Sequence, residues 1–396
     1  MEKILTFSPE PWNTPLSERI KDFHNTGIIG KKRILFLYPS SDASTFRYRG
    51  YNLSQYLKQS SQFSLHFFFS QNELDDVQTL VATCDLLVLC RTNWNYKLDF
   101  LITKAKAHNI PVVFDVDDLI FDLQYLPLLL NTVGSPTDTL AKQERDLGYW
   151  FSNVGRIHLT ASRADGFITT NAFLGEKLRQ TFDKPYTIIR NSLNQEQIDI
   201  SVLCIEEKRK QNSNHPFTIG YFSGSPTHMN DFSTVAQEIQ MFLLEHPDAK
   251  LMIVGIMKLP SYLQPLADAG QIEFHPLVDF LELQKLISSV DVNIVPLIEN
   301  DFTNCKSELK YFEAAIVDTI TVATPTYAYK NAINHGENGF LCSPGQWYDI
   351  LQDIYYDRID RAKIIENARI HAMETFYGKA VLEEAEAGYQ YFLINQ

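Results

Sequence analysis

The chain of 396 residues is short of cysteine and of positive charge. Its five cysteines stand far apart and form no C-x-x-C pair, which argues against a zinc ribbon or a disulfide framework and fits a reducing compartment. Lysine plus arginine (35) are outnumbered by aspartate plus glutamate (48), so the formal net charge is −13. Because non-specific binding to nucleic acid relies on a basic surface, we do not expect nucleic acid as a partner.

Long hydrophobic runs and a secretory leader are missing as well. No stretch approaches the roughly 18 apolar residues that a membrane span requires, and prolines and charges interrupt the apolar residues of 1–12. We therefore expect a cytoplasmic protein without a transmembrane segment. The short apolar patch Leu126-Pro-Leu-Leu-Leu130 leaves open a peripheral contact at the inner face of a membrane, with a buried turn as the alternative.

The glycine fingerprint of dinucleotide-binding folds, G-x-G-x-x-G, does not follow the first apolar run, which disfavours an NAD-dependent oxidoreductase. Residues 39–46 instead offer small polar side chains, which let backbone N–H groups approach an anion. Arg47 and Arg49 follow and add forked donors. We predict that both arginines face phosphate or acceptor groups; helix capping and surface ion pairs are the alternative.

Short, continuous apolar runs recur along the chain, which is typical of strands buried on both faces of a parallel sheet. Six such strands are predicted in the first half, over residues 33–38, 65–69, 86–89, 111–114, 166–169 and 187–189. Six more are predicted in the second half, over residues 217–222, 250–254, 272–274, 292–295, 319–322 and 339–341. With helical patterns between them, the runs predict an α/β chain of two Rossmann-like, doubly wound domains facing a cleft.

The length also favours two domains, because 396 residues exceed one ordinary core. A polar, charged stretch separates the two series of strands and is predicted to be the linker. The expected division is an arm (1–30), an N-terminal Rossmann-like domain (31–204), a linker (205–215), a C-terminal Rossmann-like domain (216–375), and a helix that crosses back to the first domain (376–396).

Three carboxylates follow the fourth predicted strand, in Asp115-Val-Asp117-Asp118. So many like charges within four residues require cations, hydrogen-bond donors or water nearby. One interpretation is a D-x-D site for Mg²⁺ or Mn²⁺. We favour a second, in which Asp115 or Asp117 hydrogen-bonds a sugar or acceptor hydroxyl and the others cap the next helix.

The first strand of the second half ends in another group of small polar residues. Ser223 and Gly224 can form a tight turn with exposed N–H groups, and His228 can donate to a phosphate. A structural role for a single histidine is equally expected.

The most informative segment is 302–315, which predicts a loop followed by a helix that begins at Lys306. Lys306, Lys310 and Glu313 are spaced i, i+4, i+7 and would share one helical face, with Ser307 beside them. Two cations and a carboxylate at a helix N-terminus suit a ligand with phosphates at one end and hydroxyls at the other. A nucleotide sugar is such a ligand.

Over most of residues 31–396 the chain resembles the glycosyltransferase family 4 type of enzyme with the GT-B fold. The resemblance is carried by residues 44–49, 113–118 and, most specifically, 306–315 with 319–324. It implies retaining transfer of a sugar from a nucleotide-diphosphate sugar to a glycan, lipid-linked or protein acceptor, without a metal or other cofactor. Bacterial surface polysaccharide or glycoconjugate synthesis is the expected setting.

The resemblance also implies that residues 31–204 form the acceptor side and residues 216–375 the donor side, and it implies roles for individual residues. Glu313 would bind the ribose, and Lys306, aided by Lys310 and His228, would hold the diphosphate. The family often has two glutamates separated by seven residues. Glu313 matches the second, but this chain has Cys305 at the place of the first; either Glu299, Asp301 or Glu308 substitutes for it or its role is lost.

Two more features of the family are missing from the chain. The Arg and Lys expected after residues 217–222 are absent, and so is the histidine expected after residues 111–114. These departures motivate the main alternative, a non-catalytic glycosyltransferase-like subunit that binds a glycan or a partner enzyme. A sugar-nucleotide epimerase of the same fold is a further alternative.

Overall fold

The computed structural model describes residues 10–134, 138–210, 215–224 and 229–394. The chain divides into two compact units. Unit 1 comprises residues 1–126, 148–194 and 376–396, and unit 2 comprises residues 127–147 and 195–375.

Unit 1 is built on a six-stranded parallel sheet with the order β2-β1-β3-β4-β5-β6. Its strands are β1 (Lys32–Tyr38), β2 (Phe63–Phe69), β3 (Leu86–Cys90), β4 (Val112–Val116), β5 (Gly166–Thr169) and β6 (Tyr186–Ile188). β3 and β4 are buried along their whole length, as their continuous apolar sequences predict. The order reverses between β1 and β3, so the carboxyl ends of these two strands flank a crevice.

Unit 2 contains a second six-stranded parallel sheet, with the order β12-β11-β10-β7-β8-β9. Its strands are β7 (Thr218–Gly224), β8 (Lys250–Gly255), β9 (Ile272–His275), β10 (Val292–Val295), β11 (Ile320–Ala323) and β12 (Phe340–Leu341). Here the reversal lies between β7 and β10. The prediction of two parallel, doubly wound α/β sheets is confirmed.

Helices connect the strands throughout the described residues. In unit 1 and at its junctions they are α1 (Leu16–Ile28), α2 (Leu53–Gln59), α3 (Leu74–Leu80), α4 (Tyr96–Ala107), α5 (Leu126–Val133), α6 (Leu140–Arg163), α7 (Ala172–Phe182) and α18 (Lys379–Ile394). In unit 2 they are α8 (Gln195–Lys210), α9 (Met229–Ser233), α10 (Ala236–Glu245), α11 (Gln264–Asp268), α12 (Phe280–Ser288), α13 (Asp301–Asn304), α14 (Leu309–Ala315), α15 (Tyr327–Ala332), α16 (Trp347–Tyr355) and α17 (Arg361–Phe376).

The boundaries of the units differ from the domains expected from the sequence. Residues 127–147 group with unit 2, although their place in the chain put them in the N-terminal domain. The reason is local contact: the Asn230 amide donates to the carbonyls of Asn131 (3.1 Å) and Gly134 (2.7 Å). Residues 205–210, expected to begin a linker, are the last residues of α8.

The apolar patch Leu126-Pro-Leu-Leu-Leu130 forms the start of α5. Leu126 and Leu129 are buried, while Leu128 and Leu130 are half-buried. Most of this patch therefore packs against protein, which is the alternative that the sequence left open. Within the described residues, no helix combines the length and apolarity needed to cross a membrane.

Candidate functional site

In unit 2, charged side chains gather where the order of the sheet reverses. β7 and β10 end side by side at this point, and open α/β sheets bind their ligands beyond such strand ends. α13 and α14 follow β10 directly. This brings Lys306, Lys310 and Glu313 to the carboxyl edge of the second sheet.

Lys306 lies in the turn between α13 and α14, not on a helix. The predicted helix start at Lys306 is therefore wrong, because α14 begins at Leu309 and contains seven residues. The prediction that the N–H groups of a helix N-terminus at Lys306 stabilise a bound phosphate therefore does not hold. Lys306 and Ser307 reach the edge of the sheet as parts of a turn, and Lys310 and Glu313 reach it on α14.

The turn that carries Lys306 is held by residues of α13 and its cap, which precede it in the chain. Asn300 and Thr303 form a capping box at the start of α13, with the Thr303 N–H donating to Asn300 Oδ1 at 3.0 Å. The Lys306 N–H donates to the Thr303 carbonyl at 3.1 Å. The Lys306 ammonium lies 4.6 Å from the centroid of the Phe302 ring, a cation–π distance. This lysine is thus placed by neighbouring backbone and by an aromatic surface.

Lys310 is half-buried on α14. Burial lowers the pKa of its ammonium to about 8; Asp231 opposes that shift, Lys306 adds to it and Glu313 opposes it. The ammonium lies 5.8 Å from the centroid of the Tyr221 ring. A poorly solvated cation beside a second lysine is stabilised by an anion, so the two lysines together favour a polyanionic ligand.

Asp231, on α9, is the acidic neighbour of Lys310 in this cluster of charged side chains. It is 1% exposed and accepts a hydrogen bond at 3.0 Å from the N–H of Ile298, which follows β10. The contact ties α9 to the loop that leads to α13. The sequence analysis missed Asp231, because nothing in the sequence indicates that residue 231 meets residue 298.

Glu313 is 3% exposed and is held by two buried glutamines. Gln197 of α8 donates to the carboxylate, with 3.1 Å between Nε2 and Oε1. Gln284 of α12 donates to the main-chain carbonyl of Glu313 at 2.6 Å. Both glutamines were missed by the sequence analysis, since residue 197 lies 116 positions away along the chain.

Glu308, one of the three candidates for the missing first glutamate, acts on the same tyrosine as Glu313. Burial raises the pKa of Tyr329, and the charges of Glu308 and Glu313 raise it further. Glu308 itself is buried. Glu299 instead pairs with Lys330 at the surface, at 3.1 Å.

Ser223 and Gly224 end β7, at a bulge in its pairing with β8. Ser223 is buried, and its hydroxyl lies 3.5 Å from the carbonyl of Ile256, just beyond β8. Both residues are thus at the strand end where the sequence put them. His228 lies outside the described residues.

In unit 1, Arg49 and Asp115 form a fully buried ion pair, which the sequence analysis did not foresee. Both side chains are 0% exposed, and two parallel bonds of 2.9 Å join Nε and Nη2 of Arg49 to the two carboxylate oxygens. Arg49 Nη1 also donates to the carbonyl of Ile189 and, at 3.3 Å, to Asn191. The pair thus ties the segment after β1 to the ends of β4 and β6. From the sequence, Arg49 was predicted to face phosphate or acceptor groups and Asp115 to bind a hydroxyl. In the structure both side chains are buried and bind each other, which indicates a structural role.

Arg47 begins a π-helical turn, Arg47–Asn52, that follows β1. The side chain is 3% exposed; its Nε donates to the Ala43 carbonyl at 2.8 Å and its guanidinium stacks 4.1 Å from the Tyr48 ring. π-Helical turns are rare in proteins, and those that occur often lie at functional sites. Arg47 lies beside the crevice between β1 and β3, with its guanidinium packed against protein.

Arg91 is the residue of this crevice that the sequence analysis missed. It follows β3, has a left-handed backbone (φ 47°), and its guanidinium donates to Asp117 at 2.5 Å and to Asp118 at 2.6 Å. Asp117 also accepts from the Thr45 hydroxyl at 3.3 Å. Residues with a left-handed backbone are often found at functional sites, and Arg91 combines such a backbone with a guanidinium that binds two carboxylates.

The carboxylates at the end of β4 and just after it are thus neutralised by arginines: Asp115 by Arg49, and Asp117 and Asp118 by Arg91. The D-x-D interpretation requires these oxygens for a cation. Among the residues that the structure describes, no three His, Cys, Asp or Glu side chains form a group suited to a metal ion.

Residues 217–356 match a family model described as glycosyl transferases group 1. The matched segment lies within unit 2 and contains the cluster of Lys306, Lys310, Glu313 and Asp231. No match is found among curated proteins.

Solved structures with the same fold are similar over most of the chain. HepE of Anabaena, solved in complex with UDP, is 16% identical, with a TM-score of 0.57 and coverage of 91% of this chain and 100% of HepE. A glycosyltransferase of Rickettsia africae is 16% identical, with a TM-score of 0.60 and coverage of 93% and 100%. Sucrose-phosphate synthase of Thermosynechococcus elongatus is 12% identical, with a TM-score of 0.59 and coverage of 92% and 100%.

These similarities establish the architecture. The two parallel sheets are those of the GT-B fold. The match over residues 217–356 adds a similarity of unit 2 to group 1 glycosyl transferases.

Proposed function

We propose that the protein is a retaining glycosyltransferase, similar to family 4 enzymes, that takes a sugar from a nucleoside-diphosphate sugar without a metal ion. One observation carries the proposal: two lysines and a buried glutamate meet at the switch point of the sheet in unit 2, within the matched segment. The lysines suit a diphosphate and the glutamate suits a ribose diol. UDP is the first nucleotide to test, because HepE was solved with it.

The chemical problem of the reaction is charge on the leaving group. The bond between the anomeric carbon and the β-phosphate oxygen breaks, and its electron pair stays on the diphosphate. The acceptor hydroxyl oxygen bonds to the anomeric carbon from the same side, and its proton passes to the diphosphate. Fixed cations stabilise the growing negative charge in the transition state, which is the role proposed for Lys306 and Lys310.

The remaining roles are proposed for residues at the same strand ends. Glu313 orients the ribose, and the backbone at Ser223, Gly224 and Ser307 lines the donor side. In unit 1, Asp117 is better placed than Asp115 to meet a hydroxyl, since its side chain is 11% exposed and that of Asp115 is 0% exposed. The acceptor is a glycan, a lipid-linked sugar or a protein, with surface polysaccharide synthesis as the proposed setting.

Product analysis tests this function. The purified chain is incubated with UDP-glucose, UDP-galactose, UDP-N-acetylglucosamine and their GDP and TDP counterparts, with and without EDTA, and nucleotide release is followed. NMR of the transferred or hydrolysed sugar then gives its anomeric configuration. Release that survives EDTA and yields the α-anomer first supports the proposal, whereas a β-anomer as the first product contradicts retention.

Glu313→Gln is expected to raise the donor KM about tenfold and to leave kcat within a few-fold, because a neutral amide accepts weaker hydrogen bonds from a ribose than a carboxylate does. Steady-state kinetics with varied donor measure the change. Glu337→Gln, at an exposed position of the same unit, is the control. A fall in kcat with an unchanged KM would show that Glu313 does not serve ground-state binding.

The affinity for UDP is expected to fall as the pH rises from 7 to 9.5. The pKa of Lys310 is about 8, so its ammonium is charged below that pH and loses its charge above it. Losing one cation from the diphosphate site weakens binding about tenfold. Calorimetric titration across this range measures the effect. Lys310→Met should bind UDP more weakly and lack this step near pH 8; a wild type without the step contradicts the role.

A second candidate is a non-catalytic subunit of the same fold that binds a glycan or a partner enzyme. The observation that favours it is in unit 1, where Asp115, Asp117 and Asp118 are each paired with an arginine. This candidate predicts no donor hydrolysis and no transfer, together with binding to a glycan array. Turnover by the purified chain excludes it.

A further inference from the structure

The buried face of α8 contains a glutamine, Gln197, at a position where an apolar residue is usual. The buried residues of this helix are Gln197, Ile200, Ser201 and Cys204, at the i, i+3, i+4, i+7 spacing of a core-facing stripe. An apolar residue is the usual occupant of such a position, and Gln197 is 0% exposed. Because a buried amide is costly unless it is hydrogen-bonded, its partner explains its presence.

That partner is the carboxylate of Glu313. The donor atom is Gln197 Nε2 and the acceptor is Oε1, at 3.1 Å. α8 packs against α12, whose Gln284 donates to the Glu313 carbonyl at 2.6 Å. The side chain and the main chain of one residue are thus each held by a glutamine from a different helix.

We propose that Gln197 is a positioning residue for Glu313: by donating to Oε1 it sets the rotation of the carboxylate so that it meets the ribose hydroxyls of the donor. The inference rests on the proposed function and deepens it, since it makes α8 part of ribose recognition. A hydrogen bond to a carboxylate is directional, so removing the Gln197 bond leaves the charge of Glu313 in place but weakens the restraint on the rotation of its carboxylate.

The test compares ribose with a sugar that lacks both hydroxyls. Binding of UDP, GDP and ADP and of their 2′,3′-dideoxy forms is measured by calorimetry for wild type and Gln197→Met, which keeps the length of the side chain and removes the donor. We expect Gln197→Met to weaken the best-bound ribonucleotide about tenfold and to leave the dideoxy form unchanged. In turnover assays the donor KM should rise by the same factor, with kcat nearly constant.

A purely structural role would not produce this selectivity. Gln352→Met is the matched control, because Gln352 is buried in α16 and donates to the Tyr348 hydroxyl at 2.7 Å, away from Glu313. It should leave both forms of the nucleotide bound as in wild type. Gln197→Glu gives a second readout: its protonated carboxyl can donate as the amide does, so the lost affinity should return as the pH falls towards 5.

The outcomes separate the inference from the function on which it rests. Wild type that binds none of the three nucleotides overturns the proposed function and the inference together. Wild type that prefers the ribose form, with Gln197→Met weakening both forms equally or neither, overturns the positioning role alone. If Gln197→Met does not fold, Gln197→Glu provides the test. The positioning role requires that the affinity of this variant for the ribonucleotide recovers as the pH falls towards 5, and an affinity that stays low overturns the role.

Discussion

Replacing Lys306 by alanine is expected to lower kcat for sugar transfer by roughly 10²- to 10³-fold, the usual cost of losing one fixed group that stabilises developing charge. The donor KM should change much less. The reason is that negative charge on the diphosphate grows as the anomeric bond breaks, so a cation fixed there acts more strongly on the transition state than on the bound donor. The position of Lys306, held by the Thr303 carbonyl and the Phe302 ring, suits such a role.

The measurement is steady-state kinetics with saturating acceptor, or donor hydrolysis if the acceptor is unknown. Lys330→Ala is the control, because Lys330 is an exposed lysine of the same unit that pairs with Glu299. Its kcat should equal that of wild type. A Lys306→Ala variant with wild-type kcat would remove Lys306 from the leaving-group role.

Breaking the Arg49–Asp115 pair is expected to be the most destabilising single change in unit 1. Arg49→Met leaves an unpaired carboxylate with 0% exposure, a situation that costs about 3–5 kcal/mol. Arg49→Met combined with Asp115→Leu should recover part of that loss, because no uncompensated charge remains. Lys106→Met, which breaks a surface pair with Asp165, should cost no more than about 1 kcal/mol.

The tryptophans allow unit 1 to be followed by itself. Three of the four lie in unit 1 (Trp12, Trp94 and Trp150) and Trp347 lies in unit 2. In a Trp347→Phe background, urea unfolding monitored by fluorescence therefore reports unit 1. A loss below about 1 kcal/mol for Arg49→Met, the size of a surface pair, would contradict the structural role of this ion pair.

The strands were predictable because a parallel sheet covered by helices needs strands that are apolar throughout. The run 292–295 shows this well: the structure has β10 over Val292–Val295, and all four residues are buried. Length and continuity were enough to tell such runs from helices. The order of the strands, and with it the switch point between β7 and β10, was not available from the runs themselves.

Only those parts of the site whose residues lie close together in the sequence were predictable. Lys310 and Glu313 share α14 as expected, while Lys306 does not, because the chain turns before Leu309. The partners of these residues come from far along the chain: Gln197 meets Glu313 over 116 positions. Contacts of that kind depend on how helices pack on the finished sheet.

Unit 1 shows the same limit. Arg49 and Asp115 were both selected from the sequence as separate ligand-binding groups, yet they bind each other across 66 positions. Arg91 was not predicted as a site residue, because a single arginine after a strand forms no recognisable motif. Its left-handed backbone and its two aspartate partners appear only in three dimensions.

The most direct test of the central claim is a thermal-shift panel of UDP, GDP, CMP, TDP, their sugars and NADH, with and without EDTA, on wild type and Glu313→Ala. A donor site in unit 2 built around Lys306, Lys310 and Glu313 predicts a stabilising shift with one nucleotide and its sugar. That shift should survive EDTA and disappear in Glu313→Ala. No shift with any nucleotide, or a shift with NADH alone, would contradict the account.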